Sequence, residues 1–563
     1  MKNLKFISLL AIALFITVSC EQEVIVAEPP VVDTPDPGPD PVAGSVSFTK
    51  FVAIGNSFVA GVQGGALFTD GQNNSLAAIL NKQFETVGAP ATFNQPTIGA
   101  SLGFNLFLTQ PVLGPPFDPT KPVLGRLLLQ TSTTPDCKTG AFGPRPTPQA
   151  YAAGMLEAVP NPTANPGFIY TGGKATLNNF GVPAIVLGQA LIPETGAWAG
   201  AGVDPRFSPF YGRLAFPGTG TSTIIGDAAA AGGSFFLFYL GLDDFFLHAA
   251  FGGDPAKAPL TTNGAFAGQY NAAIGALLGS NANLKGVVGN FPDIFKMPHF
   301  TSVAYNPIPL DATTAAAVGA GFAGYNTALD GLSGALTATP ANFGLTAEQA
   351  AGLVAELATR KVTFTASCEN KALIADETLT NLGPFFDGML AATLITSEQR
   401  AGLTPYQQVR QTTPTDILPL GAGSVLGTTV GGNPLLVNGV SVPLADQYVL
   451  IPSEIEAIKA ARASFNASIA ATVAANTSRL ALADIDAAMV ALVSAGATVQ
   501  NGVTITPNIN PPTGMYSEDG VHPNSRGYAF LSRVFIQAIN AKFGSTIPLT
   551  DVSLYSATGL PIP

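Results

Sequence analysis

The chain has 563 residues, of which 47% are hydrophobic and only 11% charged, with a formal net charge of −11. That length is far above what a buried core needs and long for one ordinary domain, while 61 Gly and 46 Pro lead us to expect long loops and insertions. The acidic balance, with no Lys/Arg cluster to reverse it locally, excludes nucleic acid as a partner.

Residues 1–20 carry Lys2 and Lys5, an apolar run from Phe6 to Val18, and Ser19-Cys20. This is a secretory signal, too short to span a membrane as a helix. It is similar to a bacterial lipoprotein signal, although Thr17 stands where such signals usually carry Leu. On that reading Cys20 becomes the lipid-bearing N-terminus, the membrane is a partner through the anchor, and the protein belongs to the cell envelope, on the outer membrane. Plain secretion is the alternative. Residues 21–47 follow as a tether with six acids, no base and recurrent prolines, a composition that buries no core.

The hydrolase-like body is expected over 48–550, with an insertion at about 305–445 and a C-terminal tail over 551–563. It opens on Phe51-Val52-Ala53-Ile54-Gly55-Asn56-Ser57, an apolar run that reads as a buried parallel strand and breaks into a helix start. Read alone, Ser57 is either a helix cap or a nucleophile at the carboxyl edge of a sheet. A helix follows at 75–84, with Asn74 or Ser75 as cap and Leu76, Ile79, Leu80 and Phe84 on one face. Residues 94–170 are Pro- and Gly-rich and read as an irregular excursion over the surface.

Leu177 to Pro183 reads as a turn between apolar pieces, and 204–226 as an exposed connection containing Arg206 and Arg213. Phe235 to Leu240 is a buried strand that ends on Gly241-Leu242-Asp243-Asp244, two carboxylates that burial makes costly. Gly286 to Gly289 is a further strand, 311–360 is helical in pattern, and 415–447 reads as short strands and turns. Pro452 to Ala475 is a helix started by Ser453, and Leu480 to Asp486 the last core strand. Alternating strands and helices predict a three-layer α/β/α fold with a parallel sheet.

Outside Cys20, the cysteines are Cys137 and Cys368, either paired in an oxidising envelope or two buried thiols. The three histidines are His248, His299 and His522. His522 follows Asp519 by three residues in Ser517-Glu518-Asp519-Gly520-Val521-His522-Pro523, ahead of a helix with Tyr528, Leu531, Phe535 and Ile539 on one face. A carboxylate so placed holds Nδ1–H and leaves Nε2 as a base. Asp243, Asp244, His248 and His299 also raise the thought of a metal, although an Asp-His pair one helical turn apart is commonly just a hydrogen bond.

Gly55-Asn56-Ser57-Phe58, Gly181, Gly241-Leu242-Asp243-Asp244 and Asp519-Gly520-Val521-His522-Pro523 resemble, in order, the four blocks of the SGNH/GDSL hydrolases, nearest to a lipoprotein branch in Bacteroidetes. The resemblance covers 48–94, 171–310 and about 440–550. It implies a flavodoxin-like SGNH fold with a large insertion, a serine esterase or lipase-like enzyme on carboxylic esters of acyl lipids or acetylated glycans, and no cofactor or metal. Ser57 would be nucleophile, His522 base and Asp519 its orienting acid. The oxyanion hole would be the N–H groups of Ser57 and Gly181 with a side-chain donor at Asp243. Oligomeric state stays open.

Two positions depart from the pattern. Asn56 stands where the family usually has Asp, and Asp243 where it places an amide-donating Asn. An ionised carboxylate cannot donate and repels an oxyanion. Asp243 is therefore protonated, turned away, or the mark of an impaired enzyme. The last of these leaves a rival reading, an SGNH-fold surface lipoprotein that binds glycan or lipid without turnover.

Overall fold

Five short runs pair side by side into one sheet: β1 (Phe51–Gly55), β2 (Asn179–Gly181), β3 (Phe235–Tyr239), β4 (Lys285–Gly289) and β5 (Leu480–Ala483). The computed structural model describes residues 40–106, 125–132, 135–149, 168–201, 203–215 and 221–558. Every pairing in this sheet is parallel, and the spatial order is β5-β4-β3-β1-β2. Read from the β2 edge this is 2-1-3-4-5, a doubly wound order that reverses direction at β1. Such sheets open a crevice above the carboxyl ends of the strands at the reversal, here β1 and β3. The register sets Gly55 against Tyr239 on one side and against Gly181 on the other.

A parallel sheet needs cover on both faces, and β3 shows how it is given, because successive side chains point to opposite sides. Phe235 meets Phe84 and Phe543 at ring distances of 5.9 and 6.0 Å, and Tyr239 meets Phe535 at 5.9 Å. Phe238 points the other way, to Tyr270 at 5.3 Å. One face is thus covered by α1 (Leu76–Phe84) and the C-terminal helix Ser525–Phe543, and the other by α2 (Ile224–Ala230), α3 (Asn263–Ser280) and α4 (Pro452–Ala475). The result is a mixed α/β domain with helices on both sides of a five-stranded parallel sheet.

Between β4 and α4 the chain makes a long detour. The helices Ala312–Ala338 and Ala347–Thr359 build an apolar core with Phe322, Leu329, Leu332, Leu353 and Phe386. A second small core gathers Ile308, Ile374, Leu418, Leu444 and Val449. Both are separate from the core around the sheet. Cys137 and Cys368 form a disulfide with Cα atoms 5.7 Å apart, tying the segment beside the antiparallel pair Leu127–Thr131 and Pro144–Pro148 to this cap. Lys138 and Glu369 pair beside it.

Several details differ from the sequence reading. Residues 179–181 are an edge strand, because Ala53 donates to the carbonyl of Asn178 and the Asn178 amide donates to that of Phe51. Within the expected exposed connection over 204–226, Pro209–Ala215 is instead a helix, and Arg213 is buried. Its guanidinium donates to the carbonyls of Phe168, Pro96 and Thr97, each at 2.7 Å, and these replace its water. Arg206 alone stays exposed, paired with Asp204. Helix α4 is capped at Ile451, with Pro452 in its first position and the Glu454 carboxylate accepting the Ile451 N–H at 2.9 Å.

The domain also reaches past both expected ends. Val42 and Ser45 donate to Thr546 and Phe543, so the tether joins the fold before residue 48. At the other end Val552 and Tyr555 are buried, and Ala557 accepts from the Asn524 amide. The signal, Cys20 and residues 21–39 of the tether lie outside the described residues. Among the described residues no helix is long and apolar enough to cross a membrane.

Candidate active site

Gly55 ends β1 where no other residue fits, since a Cβ there would lie 2.3 Å from the Val59 side chain and 2.5 Å from the Tyr239 carbonyl. The chain turns at once into a single helical turn, Ser57–Ala60, capped by Asn56, whose Oδ1 accepts from the Phe58 N–H at 3.2 Å. Asn56, not Ser57, is therefore the cap. Ser57 is the first helical residue, so its own N–H has no intrahelical acceptor. The side chain is 2% exposed, at the sheet's point of reversal.

The segment after this turn is fastened over four consecutive residues to the C-terminal loop and to the start of the helix Ser525–Phe543. The Val62 carbonyl accepts from the Tyr528 hydroxyl at 2.7 Å, and the Gln63 amide donates to Ser525 at 3.2 Å. Gly64 donates to the Ser517 hydroxyl at 2.9 Å, and Gly65 to Asp519 Oδ2. This strap is what brings the two ends of the chain to one place. His522 packs against the residue next to the serine, with the Phe58 ring 5.7 Å from the imidazole and tilted 53° to it.

Asp519 and His522 form a defined dyad. Nδ1 of His522 lies 2.8 Å from Oδ2 of Asp519, while Oδ1 accepts the N–H groups of Val521 and His522, both at 2.8 Å. Burial works against the Asp519 charge, but the imidazole and the backbone donors outweigh it and hold the carboxyl below its ordinary value. A carboxylate in that position fixes the proton on Nδ1 and leaves Nε2 as the basic atom. Gly520, with φ +71°, makes the tight turn between the two residues. Its carbonyl accepts the His299 N–H at 3.0 Å.

The oxyanion donors are where the sequence expectation needs correcting. The Gly181 N–H is already given to Asn179 Oδ1 at 2.9 Å, so it is not offered to a substrate. The group that reaches the serine is the N–H of Ala184, 2.9 Å from Ser57 Oγ. Ala184 itself takes a left-handed conformation, φ 49°. The motif reading missed it because a backbone donor leaves no residue-type signal, and an alanine at positive φ runs against its own preference.

Asp243 accepts from the Asn56 amide, Nδ2 to Oδ2 at 2.5 Å. Asp244 accepts from the Leu187 N–H at 2.7 Å and from the Thr261 hydroxyl at 2.8 Å. Neither meets a Lys or Arg in an ion pair among the described residues. Burial therefore dominates: it pushes Asp243 up to about 6 and Asp244 up to about 7.

The rings of His248 and His299 each meet a backbone carbonyl through Nδ1, that of Ala258 and that of Asp519. His248 Nδ1 lies 2.7 Å from the Ala258 carbonyl. His299 packs between Phe246 and Phe300 at ring distances of 5.9 and 4.9 Å, and burial pushes its imidazole down to about 4. Among the described residues the group spaced for a metal is Glu377, Asp446 and Glu454, which shares no member with Asp243, Asp244, His248 and His299.

Comparison of the chain with family models, with curated proteins and with solved structures finds no match.

Proposed function

We propose that this protein is a serine esterase of the SGNH/GDSL type that hydrolyses carboxylic esters, either acyl lipids or acetylated glycans, with Ser57, His522 and Asp519 as its triad. The observation that carries the reading is the buried dyad, an Asp519 carboxylate oriented by three backbone N–H groups and bonded to His522 Nδ1 beside a buried serine at the strand reversal. The order 2-1-3-4-5 fits the flavodoxin-like arrangement of that family.

In this reaction Ser57 Oγ bonds to the ester carbon as its proton passes to His522 Nε2, and the carbonyl electron pair moves onto oxygen. The N–H groups of Ser57 and Ala184 receive that charge, in place of the Ser57 and Gly181 pair. Collapse expels the alcohol, which takes the proton from His522. Water, activated by the same imidazole, then releases the acid and restores the serine. Cys20 would carry the lipid that holds the enzyme on the outer membrane of the cell envelope.

One observation favours the rival, a binding lipoprotein without turnover: Asp243 is an acceptor in its bond to Asn56. A fluorophosphonate probe with hydrolysis of p-nitrophenyl acetate separates the two. The esterase labels at Ser57, and Ser57→Ala loses at least about 10³-fold in rate. An unlabelled Ser57 with retained glycan or lipid binding makes the protein a binder.

A further inference from the structure

We infer that Asn56 and Asp243 are an exchanged amide and carboxyl pair, in which Asp243 as the neutral acid donates the third hydrogen bond to the oxyanion, so that turnover is confined to the acid side of neutrality. This rests on the serine esterase reading above.

The geometry leaves the pair one arrangement. Gly55 and Tyr239 are in register, so Asn56 and the Gly241-Leu242-Asp243 turn leave adjacent strand ends. Both polar atoms of Asn56 are committed: Oδ1 accepts from Phe58, and Nδ2 donates to Asp243 Oδ2 at 2.5 Å. An amide donor makes Oδ2 an acceptor, so a proton held by Asp243 sits on Oδ1. Relative to the pattern with Asp before the serine and Asn in the third block, the same hydrogen bond is kept with donor and acceptor reversed. The pair also keeps a single carboxyl.

The surroundings favour the acid form. Asp243 is 6% exposed, and the ionisable groups that face it are His522 across the site, Asp244 beside it and Tyr239 at the end of β3. Burial raises its proton affinity, against the pull of the Asn56 amide, His522 and its own backbone N–H. Negative charge growing on the substrate oxygen raises it further. During attack the proton stays on Asp243 Oδ1 and hydrogen-bonds the oxyanion, while the Ser57 proton goes to His522. Once Asp243 ionises, the donor is lost and a repulsion takes its place.

The test is kcat/KM for p-nitrophenyl acetate from about pH 5 to about pH 9, for wild type, Asp243→Asn and the double exchange Asn56→Asp with Asp243→Asn. Wild type should fall about tenfold per pH unit above its optimum, whereas both variants hold an alkaline plateau and exceed it by about 10²-fold near pH 8. Asn56→Asp alone sets two carboxyls against one another and should be the slowest form. The double exchange preserves the hydrogen bond and so covers the case in which Asp243→Asn misfolds. If wild type labels at Ser57 but shows the same alkaline limb as the variants, the inference fails and the esterase stands. If Ser57 does not label in any form, the esterase reading itself has failed.

Discussion

Gly65 donates its backbone N–H to Oδ2 of Asp519, the same oxygen that bonds Nδ1 of His522. The acid of the dyad is therefore oriented by the strap that follows Ser57. In Asp519→Asn, an amide NH₂ turned toward His522 would demand the wrong imidazole tautomer. We expect kcat to fall by about 10³ to 10⁴ with KM little changed, measured on p-nitrophenyl acetate beside a circular dichroism control.

Gly520→Ala should damage both stability and turnover. The residue is at φ +71°, and a Cβ would stand 2.7 Å from the His299 backbone nitrogen. Gly544→Ala is the control, at φ +65° with nothing within 4 Å of the added atom. The control should lose only about 1 to 2 kcal/mol in urea denaturation and keep its rate. Gly520→Ala should lose more, together with probe labelling at Ser57.

Ala184→Gly should stabilise the protein. It relieves a left-handed alanine, φ 49°, while keeping the N–H that reaches Ser57. The expected gain is about 0.5 to 1 kcal/mol in urea denaturation, with kcat unchanged, since glycine adopts this conformation without a steric penalty.

Stability should decline from about pH 6.5 to about pH 8. Burial pushes the Asp244 and Glu518 carboxyls up to about 7 in the folded protein. Their folded-state proton affinity exceeds the unfolded one, so the stabilisation is complete at low pH and is lost as pH rises through the folded values. His248 and His299 are pushed down, so their contribution runs the other way but is confined to pH below their ordinary value. Thermal melts should show a loss of roughly 1 kcal/mol across the window.

The Cys137–Cys368 bridge spans 231 residues and neither cysteine belongs to the apolar cores. Its contribution is therefore a constraint on the unfolded chain. Replacing both by serine should cost about 2 to 5 kcal/mol while leaving Ser57 labelling intact.

Strands β1, β3 and β4 were legible because continuous apolar runs that end at or beside a Gly have few other readings, whereas β5 was expected to reach Asp486 and stops at Ala483, where Asp484 caps the helix Ile485–Ala495. The placement of Asp519 and His522 was legible for a similar reason, as three residues of separation and a following helix restrict the geometry. β2 was not, since three residues with a single large apolar side chain carry no period, and backbone bonds to β1 decide the matter. Arg213 was misjudged because a cation can be buried on carbonyls that lie far away in the chain. The pairing of Asn56 with Asp243 was invisible as well, because nothing in the spacing of two residues 187 positions apart shows that they touch.

The strap has a consequence in time. Gly65 and Asp519 are 454 positions apart, and the Val62 carbonyl waits for a hydroxyl 466 positions further on. A ribosome or a translocation pore releases the Ser57 end first, and everything emerging before the C-terminal segment is a chain with Ser57 but without Asp519 and His522. On the esterase reading proposed above, premature hydrolysis is thereby denied to the nascent protein, and the cluster of Ser57, Asp519 and His522 is among the last features to be assembled.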